Sequence, residues 1–404
     1  MAGKAVLVLG LWILALVFAD QAFVGTAPNG SLVLRPANGQ QLMVAGVDFR
    51  ALKEKLDTLD TLVGTLAARL KEQHCRPVAD TTTVTRVGTE GSWYGGVLAP
   101  NGKIYSIPVN ADSVLIIDPA TNTADTTTIT GLSGGSSAWI EGVLAGTGKI
   151  YGIPYLSDSV LIIDPTTNAT DTSTITGLGT GGKWCGGVLA ASGEIYGIPY
   201  GSARVLIIDP TKDTADATTI AVPQGGSKWY GGVAAGNGKI YGIPYGATSV
   251  LIIDPIAKTA DTTTITGLPG GSGPKWLWGA LGRNGRIYGF PSGSTSVLII
   301  DPATNSADIT SITGLSSSTG MWHGGVLAGD GLIYGIPYAS PSVLIIDPTT
   351  NTADTSTITG LNGGLRWNGG VLAGNGKIYG IPASDNPSVL IVQQGCFFVD
   401  LKGL

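Results

Sequence analysis

Three kinds of apolar patterning succeed one another along the chain. Ala5 to Ala19 is a run of apolar residues after a single early cation, Lys4. Phe49 to Arg76 carries apolar residues at spacings of four and three. Beyond residue 79, short apolar runs alternate with clusters of Gly, Pro, Asp, Asn and Thr. In this last region a tryptophan recurs at Trp93, Trp139, Trp184, Trp229, Trp276, Trp322 and Trp367, at intervals of 46, 45, 45, 47, 46 and 45 residues. The unit from Trp229 to Leu268 shows the stations most clearly: WYGGVAA, KIYGIPY, SVLIIDP and DTTTIT, separated by turn residues. Four strand-length pieces in such a repeat make one propeller blade, and seven repeats fall within the usual number of blades. Ser-Val-Leu-Ile-Ile lacks polar alternation, as expected of a strand covered on both faces. Gly-Gly after each Trp suits the innermost strand, where seven backbones crowd round one axis. The Thr-rich piece suits the outer edge.

The seventh unit reaches Val389-Leu390-Ile391-Val392 and then departs into Gln393-Gln394-Gly395, without Asp-Pro or a Thr strand. The missing piece stands at the other end of the repeats, as Ala79-Asp80-Thr81-Thr82-Thr83-Val84-Thr85. The pattern therefore predicts an all-β, seven-bladed β-propeller over 79–404, with four-stranded blades and an N-terminal strand closing the last one. Closure brings Cys75 and Cys396 near each other as a disulfide candidate. The competing arrangements are free thiols or a Cys75 bridge between stalk helices. Cys185 reads as a buried small hydrophobe.

Ahead of the repeats, 1–19 reads as a signal peptide cleaved before Asp20, with a membrane anchor over residues 5–24 as the alternative. The segment 20–48 reads as a short β-rich piece, with two strands around Pro36-Ala37-Asn38-Gly39. Over 49–76, Leu52, Leu59 and Leu66 interleave with Phe49, Leu56, Val63 and Leu70. That is the seam of a coiled-coil stalk helix, although Gly64 weakens it. A helix packed on its own propeller competes with this reading.

Composition narrows the function. Among 404 residues, 62 are Gly, 13% are charged and 2 are His, with net charge −5. Removing Lys4 with the leader leaves 22 basic and 28 acidic residues, hence −6. An acidic surface excludes a nucleic-acid partner, and scarce His and Cys leave little for a metal centre. The sequons at Asn29 and Asn168 are glycosylation candidates in a secretory setting.

Gly-Lys-Ile-Tyr-Gly-Ile-Pro followed by Ser-Val-Leu-Ile-Ile-Asp-Pro-x-Thr-Asn-Thr resembles the repeats of kelch and YVTN-type β-propellers. It differs from kelch in carrying the diglycine after Trp and not after the Tyr strand. The resemblance covers residues 80 to 395 and implies the propeller fold. Its members mostly bind proteins, while related propellers include lyases, lactonases and lectins.

Chemistry has few candidates. His74 lies in the stalk and His323 in the sixth unit, too few for the imidazole-based sites of lactonase- or lyase-type propellers, so the chain is read as no enzyme. Asp118, Asp164, Asp209, Asp254, Asp301 and Asp347 each precede Pro. Capping of the following turn is favoured for them over Ca²⁺ ligation with Asn122 and Asp125 as companions. Tyr105, Tyr151, Tyr196, Tyr241, Tyr288, Tyr334 and Tyr379 read as core. The seven Trp read as packing between blades ahead of sugar-stacking platforms. Departures from the repeat are more telling. Two positions after Trp, five units have Gly, but the second has Glu141 and the fifth Trp278, and the fifth also carries Arg283 and Arg286. These four, with His323, form a candidate ligand pocket at the channel mouth. Drift at tolerant positions is the competing explanation. The expectation is an extracellular binding module, homo-oligomeric through its stalk, recognising protein or glycan on a repetitive surface. A structural coat component is the alternative.

Overall fold

In the computed structural model, the described residues are 76–85, 87, 92–132, 135, 137–271, 273–318, 320–361, 364–383 and 388–395. Before these come 23–26, 32–35, 43–44, 47–48, 55, 57–59, 61–63 and 65. The leader, Asn29, His74, Cys75 and Cys396 lie outside them, so the signal-peptide, disulfide and first sequon expectations are not addressed. The chain divides into two units, Met1–His74 and Cys75–Leu404.

In the first unit, β1 (Phe23–Thr26) pairs antiparallel with β2 (Leu32–Arg35), and β3 (Met43–Val44) with β4 (Val47–Asp48). Helical conformation follows at Lys55, Asp57–Leu59, Thr61–Val63 and Thr65, with the Thr61 and Thr65 hydroxyls each donating to a carbonyl four residues back, at 2.8 Å. Leu59, Leu62 and Val63 are exposed. The helix is short, and no second helix accompanies it among the described residues, so the coiled-coil stalk over 49–76 is not supported. A heptad seam buries its apolar edge only against another helix, and the described residues hold none. No helix among the described residues is long and apolar enough to cross a membrane.

The second unit is the seven-bladed propeller. Its closing strand β5 (Val78–Asp80) is followed by the first blade, with β6 (Trp93–Leu98), β7 (Ile104–Pro108), β8 (Leu115–Asp118) and β9 (Thr123–Asp125) in antiparallel order. Five more blades repeat this meander. The last contains Trp367–Leu372, Lys377–Pro382 and Leu390–Gln393 and is completed by β5, with Ile391 opposite Asp80 and Gln393 opposite Val78. The outer strand differs from expectation. It lies in Thr-Ala-Asp or its equivalent, and the Thr-rich run that follows is a bend. In the first blade the Asp125 carboxylate accepts from the Thr127 and Thr128 N–H groups at 2.7 and 3.2 Å, and from both hydroxyls. The same capture occurs after Asp80, Asp171, Asp216, Asp261, Asp308 and Asp354. A carboxylate that takes these donors competes with the ladder and ends it. These hydrogen bonds hold the carboxyls low, about 2 for Asp125.

The core lies between blades. One wedge joins Val97, Tyr105 and Ile107 of the first blade to Trp139, Ile150 and Leu161 of the second. The closing wedge joins Trp93 and Leu115 to Tyr379 and Ile391. Every Trp of the repeat is buried, and its indole N–H donates to a backbone carbonyl about twenty residues on, as Trp93 does to Ser113 at 2.7 Å. They are therefore packing residues and not platforms. Burying one such ring contributes roughly 2–3 kcal/mol. The repeated Tyr side chains are likewise buried, and their hydroxyls latch neighbouring blades. Tyr105 donates to Asn168 at 2.9 Å, Tyr288 to Asn351 at 2.7 Å and Tyr379 to Asn122 at 2.9 Å. These Asn residues hold φ between 52° and 56°, a left-handed turn that Asn tolerates. Asn168, the second sequon, thus has a structural role in its exposed turn. Between the third and fourth blades the latch becomes an ion pair of Glu194 and Lys258.

Candidate functional site

The inner strands meet the axis at the first glycine of each diglycine. All seven of these positions have positive φ: 67° at Gly95, 80° at Gly186, 72° at Gly231, 73° at Gly324 and 77° at Gly369, but also 66° at Glu141 and 50° at Trp278. The backbone bulges here, shifting the register between the two inner strands of every blade. Left-handed backbone costs a non-glycine residue about 1 kcal/mol. Space is short as well, since a Cβ on Gly186 would lie 2.5 Å from Glu141 Oε2, and one on Gly231 2.5 Å from Trp278 Cδ1. Two blades accept the strain, and their side chains fill the hub.

Those side chains meet. Trp278 Nε1 donates to Glu141 Oε2 at 2.9 Å, and the Gly187 N–H also reaches the carboxylate. Desolvation outweighs both bonds and pushes the Glu141 carboxyl up to about 7. Glu141 nevertheless keeps a partly exposed face. Together with Tyr94, Trp278 and diglycine backbone it lines an axial cavity of about 100 Å³.

On the side of the hub where the inner strands begin, the residues just after each Trp pack into an aromatic plug. Tyr94 lies 4.8 Å from Trp278 and Tyr230 4.6 Å from it, ring centre to ring centre. His323 stacks on Tyr338 at 3.8 Å and 8°, and its Nδ1 lies 2.9 Å from Asn368 Oδ1. The amide oxygen accepts only, so Nδ1 carries the proton. Burial holds the imidazole down at about 4, hence neutral. The Cys185 thiol is fully buried and pushed well up.

Of the five pocket residues expected from sequence, Glu141, Trp278 and His323 come together, with His323 and Trp278 rings 6.3 Å apart. Arg283 and Arg286 do not. They occupy the turn after the inner strand Trp276–Leu281, at its far end, where Arg283 donates to the Gly329 carbonyl at 2.6 Å and Arg286 pairs with Asp301 at 3.1 Å. The six Asp-Pro carboxylates stay apart and cap their own turns, as Asp118 does for the Ala120 N–H at 2.9 Å. Their supposed calcium companions are engaged elsewhere, Asn122 by Tyr379 and Asp125 by its Thr bend. Among the described residues, no group of three or more acidic, His or Cys side chains could hold a metal ion.

Two features escaped the sequence reading. After Ile-Pro, three consecutive blades carry Tyr155, Tyr200 and Tyr245, with ring centres 5.8 and 5.5 Å apart along the series. Each is partly exposed, and Tyr200 and Tyr245 pack on Tyr230, both at 5.7 Å. The sixth blade has Tyr338 there, stacked on His323, and the first, fifth and seventh have buried Val109, Ser292 and Ala383. The signal was present as a Tyr that does not repeat in every unit. In addition, Lys183, Lys228 and Lys275 precede Trp and are buried. Their ammonium groups donate to loop carbonyls, as Lys183 does to Ser157 at 2.8 Å and Lys275 to Ala247 at 2.7 Å. Desolvation lowers the pKa of all three.

No family model matches the chain, and no curated protein matches it. Solved structures do. A catalytically inactive virginiamycin B lyase from Staphylococcus aureus, with quinupristin, is 10% identical with a TM-score of 0.63, covering 78% of this chain and 99% of that one. The extracellular domain assigned to a one-component system of B. thetaiotaomicron is 12% identical with a TM-score of 0.57, covering 74% and 40%. The WD40 repeats of RRP9 are 12% identical with a TM-score of 0.55, covering 79% and 98%. A lyase, an extracellular domain of a one-component system and a WD40 protein share only architecture at such identities, so the likeness establishes the β-propeller fold and leaves function to the site.

Proposed function

We propose that this protein is a non-enzymatic binding module of the cell exterior, whose ligand, a glycan or a protein segment, lies across the tyrosine crescent of the second to fourth blades. The observation that carries this reading is the asymmetry of Tyr155, Tyr200 and Tyr245. Blade packing asks the same of every repeat, yet these partly exposed rings occupy three adjacent blades in ring contact with one another, whereas the sixth blade's Tyr338 is stacked on His323 and Val109, Ser292 and Ala383 close the same position in the first, fifth and seventh. Partly exposed aromatic faces bind sugar rings and apolar side chains at low entropic cost. The kelch- and YVTN-like repeat pattern supports binding over catalysis. So does the engagement of His323 by Asn368 and Tyr338, which leaves it packed and neutral. Self-association through the 49–76 segment, whose Leu59 and Val63 are exposed, would multiply a weak contact on a repetitive surface.

Glycan and peptide arrays probed with wild type and with the triple variant Tyr155→Ala, Tyr200→Ala, Tyr245→Ala test this. Loss of each ring should weaken binding by about tenfold. A folded triple variant with an unchanged array profile would refute the crescent. Saturable binding to neither array would favour a structural component of an extracellular coat.

A further inference from the structure

We propose that the axial cavity is a binding site for a small monovalent cation of the ammonium class, held by the Glu141 carboxylate against the Tyr94 and Trp278 rings. This site is separate from the tyrosine crescent and does not depend on it.

The cavity, about 100 Å³, has room for a group the size of methylammonium. Its walls are diglycine backbone, including Gly95, Gly232, Gly324 and Gly370. The second glycines Gly96, Gly232, Gly279 and Gly370 are partly exposed, so the shaft beside Glu141 is reachable by solvent. The innermost strand of each blade has no strand on its axial side, so its inner edge offers unpaired backbone carbonyls to a guest with N–H groups. Two aromatic rings and one carboxyl complete the lining. That donor set suits a single positive charge, because a cation gains from ring faces and from one carboxylate.

A plug that only filled the hub would not need an acid. Glu141 stands in left-handed backbone where five other blades have Gly, and burial opposes its ionisation. The titratable groups that interact with it are Tyr94 and Cys185, and Tyr230 and His323 lie against Trp278; all four are uncharged at neutral pH, so nothing among them competes for the carboxylate's charge. A cation entering the cavity supplies the missing counter-charge, and Glu141 then releases its proton to solvent. With the carboxyl at about 7, affinity should be about tenfold higher at pH 8 than at pH 6.

Titration calorimetry of the full chain with methylammonium chloride at both pH values, against tetramethylammonium chloride as a cation with no N–H groups to give the carbonyls, tests the assignment. The expected result is saturable methylammonium binding that tightens with pH and releases a proton. It should vanish in Glu141→Gln. No saturable heat at pH 8, equal binding by a folded Glu141→Gln, or equal competition by tetramethylammonium would overturn it. Should Glu141→Gln fail to fold, the pH comparison and tetramethylammonium decide on wild type alone.

Discussion

Glu141 and His323 make opposite demands on the proton, and replacing Glu141 with Gln should expose the imbalance. In the folded hub the carboxyl is raised from 4.5 to about 7 and the imidazole is lowered from 6.5 to about 4. Between pH 4.5 and 6.5, unfolding therefore releases a proton from Glu141 and takes one up at His323. The two slopes cancel, so this pair leaves stability level across that window. In Glu141→Gln only the histidine remains. Its folded pKa is depressed, so the neutral ring's contribution is complete above 6.5 and is lost as pH falls. A full pH unit corresponds to about 1.36 kcal/mol, and with the ring half-titrated at the upper end of the window the variant should lose about 2 kcal/mol relative to wild type between pH 6.5 and 4.5. Guanidinium unfolding of both proteins at pH 4.5, 5.5 and 6.5 measures this. The surface carboxyls appear in both profiles and drop out of the difference. Parallel profiles would refute the buried, opposed pair.

Three further outcomes follow from the packing. Gly325→Ala would place a Cβ 2.2 Å from Phe290 Cζ and 2.6 Å from the Tyr334 carbonyl, so it should cost at least about 3 kcal/mol by overpacking. Gly102→Ala, at φ 79° with nothing within 4 Å, should cost only about 1 kcal/mol; equal melting temperatures for the two variants would contradict the wedge geometry. Asn351→Ala removes the acceptor of the Tyr288 hydroxyl and a residue suited to its left-handed turn, and should lower stability by about 1–2 kcal/mol in chemical denaturation. The closing ladder sets Ile391 opposite Asp80 and Gln393 opposite Val78, so both ends of the repeat region share one blade. Peptide mapping without reductant should therefore recover a Cys75–Cys396 link, and reduction should cost up to about 5 kcal/mol.

The architecture was legible because it is written seven times. Period, strand order and ring closure all follow from residues that each blade must repeat, such as Trp229, Tyr241 and the Leu-Ile-Ile run. Glu141 and Trp278 were legible as breaks in that repetition, and they do meet in the hub. Arg283 and Arg286 were misplaced because proximity in sequence to Trp278 hides a whole strand that carries them to the other end of the blade. The outer strand was set too late because β-branched Thr looks like strand, while the Asp before it captures the following N–H groups. Tyr155, Tyr200 and Tyr245 were passed over since partial repetition resembles drift until the fold sets the three rings side by side. The heptads of 49–76 describe a surface seeking a partner helix, and the described residues do not contain one.

Ring closure also sets a schedule for synthesis. The strand Val78–Asp80 leaves the ribosome before any blade, yet its neighbour Leu390–Gln393 is made last. Blades can stack in the order they emerge, but the earliest strand must wait, unpaired, while roughly three hundred residues are translated. Until then the nascent head is an open arc with bare edges at both ends, and a ribosome stalled before Leu390 would strand it there. The Thr bend after Asp80 stops that waiting strand at three residues, too short to template pairing with a neighbouring nascent chain.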